Sequence, residues 1–412
     1  MTSTALRSVT ASGLLFVALG CAGGDGSRGA SENGAARAAA RVDGLPVGTD
    51  SIITARVLRI GELDGAPEYA FGEIVAILPA PDGGFYVCDG NDVSIRRYDS
   101  AGVFVRQVGR RGAGPGEFGS CADIALGRDS ALAVNDPSHG RVVFFTPTGE
   151  PDRTVASRVA PGLGGGDGVF TIDTAGRMWT RGWLAGRGES EAALPTHYVI
   201  MDVNGRRVDS LRVPAAGEGP GRGFTLCTND GCYDAQPPDS LHAVATTGHL
   251  ATAGPMIYRV AVRAPDGAVR EIVREARPVA YVSAEHAQWE AWRAYMTKQD
   301  PKYPPIAIPG SKPLLRGLRF DDADRLWVKV HVTAEDRPIP PRKPGDLRPM
   351  LTWRERNTYD LFDVTTGGYI GRVAFPFATE FMASRGNRVW LREEGESGEQ
   401  LIGVAELRPA AR

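Results

Sequence analysis

The 412-residue sequence lacks a strong net charge, a long hydrophobic run and the short motifs of common enzymes. Its formal charge of -2 gives no sign of a nucleic-acid partner, because such proteins concentrate positive charge. Only five of its 47 basic residues are lysine, and its six histidines form no HxH or HExxH pair that would indicate a metal site. A GxSxG nucleophile motif is also absent. Local motifs therefore indicate no catalytic chemistry.

The longest apolar feature is the N-terminal run "VTASGLLFVALG", which follows Arg7 and ends at Cys21. It is shorter than a membrane-spanning helix and is typical of an export signal. The end of the run, "ALGC", resembles the lipobox of bacterial lipoproteins, in which the cysteine is lipidated. We therefore predict a lipoprotein signal peptide over residues 1–21 and a flexible tether over 22–50. The alternative is an ordinary secretory signal cleaved nearby, and either one exports the protein.

Cysteine is scarce, and the four cysteines after Cys21 form an even number in a compartment where disulfides persist. In "CTNDGC" the Asn-Asp-Gly centre favours a tight reversal, so we predict a disulfide between Cys227 and Cys232. Cys88 and Cys121 then remain as the second pair.

The stretch "GRRGAGPGEFGSC", Gly109 to Cys121, could be a phosphate-binding loop or a connection between strands. A phosphate loop leads from a strand into a helix, and a Lys-Ser/Thr pair follows its glycines. Here strand-like segments lie on both sides, and no such pair is present. We interpret the stretch as a strand-to-strand connector, and "GEGPGRGF" (217–224) as a second one.

A repeat of a polar turn followed by a short apolar strand occurs six times in the sequence. An aromatic residue, Tyr86, Trp179, Trp327 or Trp390, stands at the same position in four copies. The copies are "PDGGFYVCD" (81–89), "RDSALAVND" (128–136), "TAGRMWTRG" (174–182), "TTGHLATAG" (246–254), "DADRLWVKV" (322–330) and "RGNRVWLRE" (385–393).

A strand that runs into a glycine turn follows each of the first five copies, as in a β-hairpin. The sixth copy ends with "LIGVAEL" (401–407) and lacks a last strand, whereas "SIITARVLRI" (51–60) precedes the first copy without a partner. Pairing these two segments would close a ring. The sequence therefore predicts an all-β, six-bladed β-propeller over 51–407, with four-stranded antiparallel blades closed by the N-terminal strand.

The chain resembles the six-bladed propellers of the NHL and TolB-like type found among exported bacterial lipoproteins. The segments "GAGPGEF" (112–118) and "DGGFYVCD" (82–89) carry this resemblance most clearly. It implies a fold more than a function, because propellers host many activities. Related propellers include lactonases and lyases with a divalent metal at the channel mouth.

The insertions between the predicted strands all fall on one face of the ring, in the loops between strands b and c and before strand a. Loops on a rigid scaffold often carry binding residues, so we expect the site on this face, although the insertions could simply cap it. The segment before blade five, 283–296, predicts a helix with Ser283 as N-cap and a stripe of Gln288, Trp292 and Met296 beside Tyr295. This helix could be a lid over a pocket or a packed cap.

These features predict an exported, lipid-anchored binding module, with a metal-dependent lactonase or lyase as the alternative. The expected partner is a small molecule, a glycan or a cell-envelope protein, with the membrane contacted only through Cys21. No cofactor is predicted except, in the alternative, Ca²⁺ at the channel mouth. Asp89 and Asp136 end equivalent strands and either bind a ligand or Ca²⁺, or cap their loops. The remaining candidate ligand-binding residues, chosen by position, are Arg181, Trp183, His331, Arg392 and Glu393.

Overall fold

In the computed structural model the chain forms a six-bladed β-propeller, and within each blade strands a to d run from the central channel to the rim. Strands a of neighbouring blades contact each other, which places them innermost. The structure describes residues 39–41, 53–121, 123–157, 160–161, 170–183, 196–212, 225–228, 231–234, 241–299, 310–338, 347–395 and 397–408.

Blades one to five are consecutive along the chain, and every ladder inside them is antiparallel. Their strands a to d are Ile74–Pro79, Phe85–Asp89, Ser94–Tyr98 and Phe104–Val108 in blade one; Asp123–Leu126, Leu132–Asp136, Arg141–Phe145 and Pro151–Ala156 in blade two; Phe170–Ile172, Met178–Trp183, Thr196–Met201 and Arg207–Arg212 in blade three; Leu241–Val244, Leu250–Ala253, Arg259–Arg263 and Val269–Val273 in blade four; and Leu315–Phe320, Arg325–Val330, Thr358–Asp363 and Tyr369–Ala374 in blade five.

Blade six joins the two ends of the propeller. Its strands a to c are Thr379–Arg385, Arg388–Glu394 and Gln400–Arg408, and strand d is the N-terminal segment Ile53–Ile60. Strand d runs antiparallel to strand c, with Ile60 opposite Ile402. The predicted closure of the ring by an N-terminal strand is confirmed.

Six hydrophobic clusters of the described residues each join two neighbouring blades, so the core is a ring of interfaces between sheets. The equivalent aromatic residues of the repeat lie in these interfaces. Trp327 packs between blades five and six, stacked at 4.2 Å on Phe381, and Trp390 packs between blades six and one against Phe85. The aromatic position recurs because each blade needs a large apolar side chain to fill the gap to its neighbour.

An Asp-Arg-Trp motif closes the turn between strands a and b in blades three and five. Asp173 accepts hydrogen bonds from Arg177 Nε at 2.7 Å and Trp179 Nε1 at 2.9 Å. In blade five Asp321 binds Arg325 and Trp327 in the same way. These buried polar atoms are therefore satisfied inside the repeat.

The glycine-rich stretch 109–121 connects strand d of blade one to strand a of blade two, as predicted. Its short strands Arg110–Arg111 and Glu117–Phe118 pair in parallel, and Phe118 is buried. Gly109 has a φ of 66° and a Cβ there would lie 2.4 Å from the Phe118 ring, so only glycine fits. The second predicted connector, 217–224, lies outside the described residues.

Of the two predicted disulfides, the one between Cys88 and Cys121 is present. Cys227 and Cys232 are opposite each other in a hairpin, but their predicted disulfide lies outside what the structure describes. None of the described helices is long and apolar enough to cross a membrane. The elements outside the four-stranded blades are helix α1 (Ser283–Gln299), 3₁₀ turns Pro67–Tyr69 and Pro137–His139, and strands Ala39–Arg41, Ala160–Pro161, Thr225–Thr228, Gly231–Asp234, Glu335–Asp336 and Trp353–Arg354.

Candidate functional site

The face that carries the predicted insertions, called the insertion face below, is formed by the loops between strands b and c and by the connections from strand d to the next strand a. Six stretches of these insertions lie outside the described residues: 184–195, 213–224, 229–230, 235–240, 300–309 and 339–346. Their ends and helix α1 are described, and these show which side chains surround the channel on this face.

Asp89 and Asp136 are fully buried, and protein groups surround their carboxylates. Asp89 accepts hydrogen bonds from the backbone N–H groups of Gly72 at 2.9 Å and Glu73 at 3.1 Å. Asp136 accepts hydrogen bonds from backbone and side-chain donors, among them His139 Nδ1 at 2.7 Å. Burial alone would raise the pKa of Asp136, but the hydrogen bond from His139 and the others hold it below the usual value. Both carboxylates fix loops, and their predicted contact with a ligand stays a prediction.

Glu393 and Arg392 take part in contacts that hold blade six in the ring. Glu393 is 5% exposed and binds Arg56 of the closing strand at 2.8 Å and Arg59 at 3.2 Å. Its side chain crosses strand c at Gly403, where a Cβ would lie 2.1 Å from Glu393 Oε1. Arg392 donates to the carbonyl oxygen of Ile74 in blade one at 3.0 Å and also pairs with Glu380.

Arg181 belongs to a hydrogen-bonded group between blades three and four. Its Nη1 donates to His242 Nε2 at 3.0 Å, so Nε2 carries no hydrogen, and His242 Nδ1 donates to Tyr198 Oη at 2.7 Å. Trp183, the last residue of strand b, is opposite Thr196 in the ladder, and its side chain lies outside what the structure describes.

His331 belongs to a buried charged group centred on Glu355. Glu355 accepts hydrogen bonds from the N–H of Val332 at 2.6 Å, from His331 Nδ1 at 3.1 Å and from Lys312 Nζ at 3.2 Å. Burial lowers the pKa of His331 to about 4 in spite of this contact. Burial would raise the pKa of Glu355, but the positive charges, Arg316 first, and the hydrogen bond from His331 lower it to about 2.

Helix α1 is attached to the propeller through the same group. Lys312 is 1% exposed and binds Glu285 of the helix at 2.7 Å. Glu285 also accepts the N–H of Val282 at 2.9 Å, and His286 N donates to Val282 O. Val282 therefore occupies the N-cap position predicted for Ser283, because Glu285 completes half of a capping box one residue earlier.

The buried face of helix α1 differs from the predicted stripe. Gln288 and Trp292 are buried as expected, but Trp289 and Glu285 complete the face, and Met296 is only half-buried. The two buried tryptophans and the buried ion pair favour a packed cap over a lid for this helix. The predicted stripe missed Trp289 because the buried residues Glu285, Gln288, Trp289 and Trp292 follow i, i+3, i+4, i+7 spacing, which starts at a glutamate.

A second charged group, which the sequence did not reveal, lies in strands a and b of blade five. Lys329 in strand b is opposite Gly317 in strand a; Arg316 directly precedes this glycine, and Arg319 follows it two residues later. Burial, and then repulsion by Arg316 and Arg319, lower the pKa of Lys329 to about 7, although Glu380 opposes this. No local spacing marks this group, because it exists only after the two strands pair.

The described residues contain no group of three or more His, Cys, Asp or Glu side chains arranged to hold a metal. A cavity of about 250 Å³ is present on the opposite face, between the turns of blades one and two. Its lining includes Tyr86, Arg97 and Asp82, but Arg97 already binds Asp82 at 2.6 Å and stacks on Tyr86. The charges of Arg97 and Asp82 in this cavity therefore satisfy each other.

No protein-family model and no curated protein matches this sequence. Among solved structures, a member of the DUF4221 family from Bacteroides vulgatus is 9% identical with a TM-score of 0.51, over 87% of this chain and 99% of that chain. A protein of Bacteroides fragilis described as exported is 9% identical with a TM-score of 0.48, over 87% and 95%. Virginiamycin B lyase from Staphylococcus aureus is 10% identical with a TM-score of 0.39, over 87% and 100%. The first of these supports the propeller fold, and the resemblance to the NHL and TolB-like type stays a prediction.

Proposed function

We propose that the protein is an exported, lipid-anchored propeller that binds a small molecule, a glycan or an envelope protein through the insertion face. The observation that carries this proposal is a set of half-buried ionisable side chains at the insertion-face ends of strands a and b. The set comprises Arg181, His242, Arg316, Lys329 and Glu380.

The two faces of the propeller differ in how their charges are satisfied. On the opposite face, the Asp-Arg-Trp motifs use each charge inside one blade, as at Asp173 and Asp321. On the insertion face a basic residue recurs at one position of strand b, as Arg181, Lys329 and Arg392, but its partners differ from blade to blade. Clefts lined by charged groups with low-dielectric walls focus the electric field on a ligand, which favours this face as the binding face.

A ligand screen on the mature protein tests the location of the site. A compound that binds only the native state raises the thermal midpoint. For any compound that does so, we expect Arg181→Gln or His242→Gln to weaken binding by about tenfold, since each removes a positioned polar group. Arg206→Gln is the control, because Arg206 is 81% exposed on a turn of the opposite face. Affinities that neither Arg181→Gln nor His242→Gln alters would contradict the proposed site.

The same screen separates the binding module from a metal-dependent lactonase or lyase. Excess EDTA followed by Ca²⁺, Zn²⁺ or Mg²⁺ leaves the midpoint of a metal-free binding module unchanged. A midpoint that falls with EDTA and recovers with one ion would favour the enzyme. The anchor is tested separately, because Cys21→Ser should move the protein from the membrane fraction to the soluble fraction.

A further inference from the structure

Three basic residues lie close together in strands a and b of blade five. This blade-five cation group consists of Arg316 and Arg319 in strand a and Lys329 in strand b. All three are half-buried; Arg316 and Lys329 stand near the end of the strands that faces the insertions, and Arg319 lies closer to the turn between strands a and b. Three cations this close repel one another, and their partial burial strengthens the repulsion.

The strand register places Lys329 opposite a glycine of strand a. Lys329 is opposite Gly317, and a Cβ added to that glycine would have Lys329 Cβ as its nearest heavy atom, at 3.8 Å. Strand a is the innermost strand, so no side chain of Gly317 stands between Lys329 and the channel. Lys329 Nζ stands 5.9 Å from the Tyr359 ring and has no hydrogen-bond acceptor among the described residues.

The nearby carboxylates are already engaged with other cations. Glu355 binds Lys312 at 3.2 Å, whereas its distance to Arg316 Nη1 is 3.7 Å. Glu380 pairs with Arg392. Arg316 Nη1 is buried and makes no hydrogen bond to the described residues. Positive charge at Arg316 and Lys329 therefore exceeds the negative charge that the described chain supplies to them.

We propose that the blade-five cation group binds the anionic group, a carboxylate or a phosphate, of a small ligand in the channel. This rests on the proposed function and specifies the ligand class of the same face. The repulsion by Arg316 and Arg319, which together with burial lowers the pKa of Lys329 to about 7, would be offset by a negative charge beside the lysine. An anion bound next to Lys329 favours the charged amine, so binding raises this pKa.

The low lysine content makes a direct test practical. Reductive methylation with ¹³C-formaldehyde labels the five lysines, and Lys329→Arg and Lys298→Arg assign two of the NMR signals. The pH titration of the Lys329 signal is recorded without ligand and again with inorganic phosphate, with glucuronate or with glucose. Chloride keeps the ionic strength the same in all four titrations. Glucuronate and glucose differ in the carboxylate, so they form a matched pair. We expect phosphate or glucuronate to raise the Lys329 pKa by about one unit or more, which corresponds to about tenfold tighter binding to the charged amine.

Glucose should leave the Lys329 signal unchanged, and the signal of Lys298, which is exposed on helix α1, should not move in any arm. A shift of the Lys329 pKa with only one of the two anions, phosphate or glucuronate, would identify the anion class. Titrations unchanged by both anions, or equal shifts at Lys298, would overturn the proposal. A ligand from the screen that still depends on Arg181 or His242 would then leave the binding-module proposal standing.

Two variants of Lys329 separate a binding role from a structural one. Lys329→Arg keeps the positive charge, so affinity for the effective anion should stay within about threefold, whereas Lys329→Met should weaken it by about tenfold or more. Lys298→Met is the control and should change nothing. Equal affinities for Lys329→Met and the parent protein would contradict the proposed site.

Discussion

Replacing Lys312 by methionine tests whether the buried charged group holds helix α1 on the propeller. Lys312 is 1% exposed and lies between Glu285 at 2.7 Å and Glu355 at 3.2 Å, and it also donates to Val332 O at 3.0 Å. Methionine keeps most of the side-chain volume but removes the charge. Glu355 retains its contacts with His331 and Val332, whereas Glu285 keeps only the N–H of Val282 among its described contacts.

The expected cost follows from the uncompensated carboxylate. Removing one partner of a buried ion pair typically costs about 3–5 kcal/mol of unfolding free energy. For roughly 360 folded residues with about 2.1 cal/mol/K each, the unfolding entropy is about 0.75 kcal/mol/K, so the thermal midpoint should fall by about 4–7 °C.

Thermal and urea unfolding of Lys312→Met, Glu285→Gln and the double variant measure this cost. Because the orphaned charge of Glu285 is the main penalty, removing it as well should recover part of the loss, with a coupling of about 1 kcal/mol or more. Lys298→Met on the exposed side of the same helix is the control. A loss below about 1 kcal/mol in Lys312→Met, together with additive effects in the double variant, would refute the reasoning.

Two further predictions concern the closing strand and pH. Glu393→Gln should lower the unfolding free energy by about 1–2 kcal/mol, discounted because its arginine partners are about half exposed, while Glu394→Gln at the exposed next position should have little effect in the same urea titrations. His331 has a folded-state pKa of about 4, below its unfolded value of about 6.5, so the unfolded chain binds the extra proton between these values. Stability should therefore fall as pH drops from about 6.5 to 4, by at most about 3 kcal/mol, and His331→Gln should flatten this part of the profile whereas exposed His286→Gln should not. Equal pH profiles for the His331 variant and the parent protein would contradict the assignment.

The fold could be predicted from the sequence because each blade repeats one physical requirement. A turn, a short apolar strand and an aromatic residue recur wherever one sheet must pack on the next, as Trp327 and Trp390 do. The closure was predictable because the first strand and the last repeat each lacked a partner. The buried role of Asp89 follows the preference of aspartate for turns, where its carboxylate accepts backbone N–H groups.

The charged groups of blade five could not be predicted in the same way. Glu285, Lys312, His331 and Glu355 lie on four separate segments, and none has a spacing that distinguishes it from a surface residue. Their burial depends on how helix α1 and the loop before strand c meet over the strand ends. The lowered pKa of Lys329 likewise depends on a register that places it opposite Gly317.

Residues that recur from blade to blade and residues that occur in one blade can contribute differently to ligand recognition. A repeated residue such as the aspartate of the Asp-Arg-Trp motif is used by its own blade, since its oxygens are occupied by Arg325 and Trp327 in blade five and by their equivalents in blade three. Lys329 stands at the same repeat position as Arg181 and Arg392, but those two arginines have hydrogen-bonding partners and Lys329 has none among the described residues. Because six similar blades would otherwise present a symmetric channel, selectivity for one ligand requires residues that break the repeat. Blade five, which carries helix α1, the Glu355 group and the cation group, breaks it most strongly among the described blades, and its channel wall is therefore where ligand specificity should be sought first.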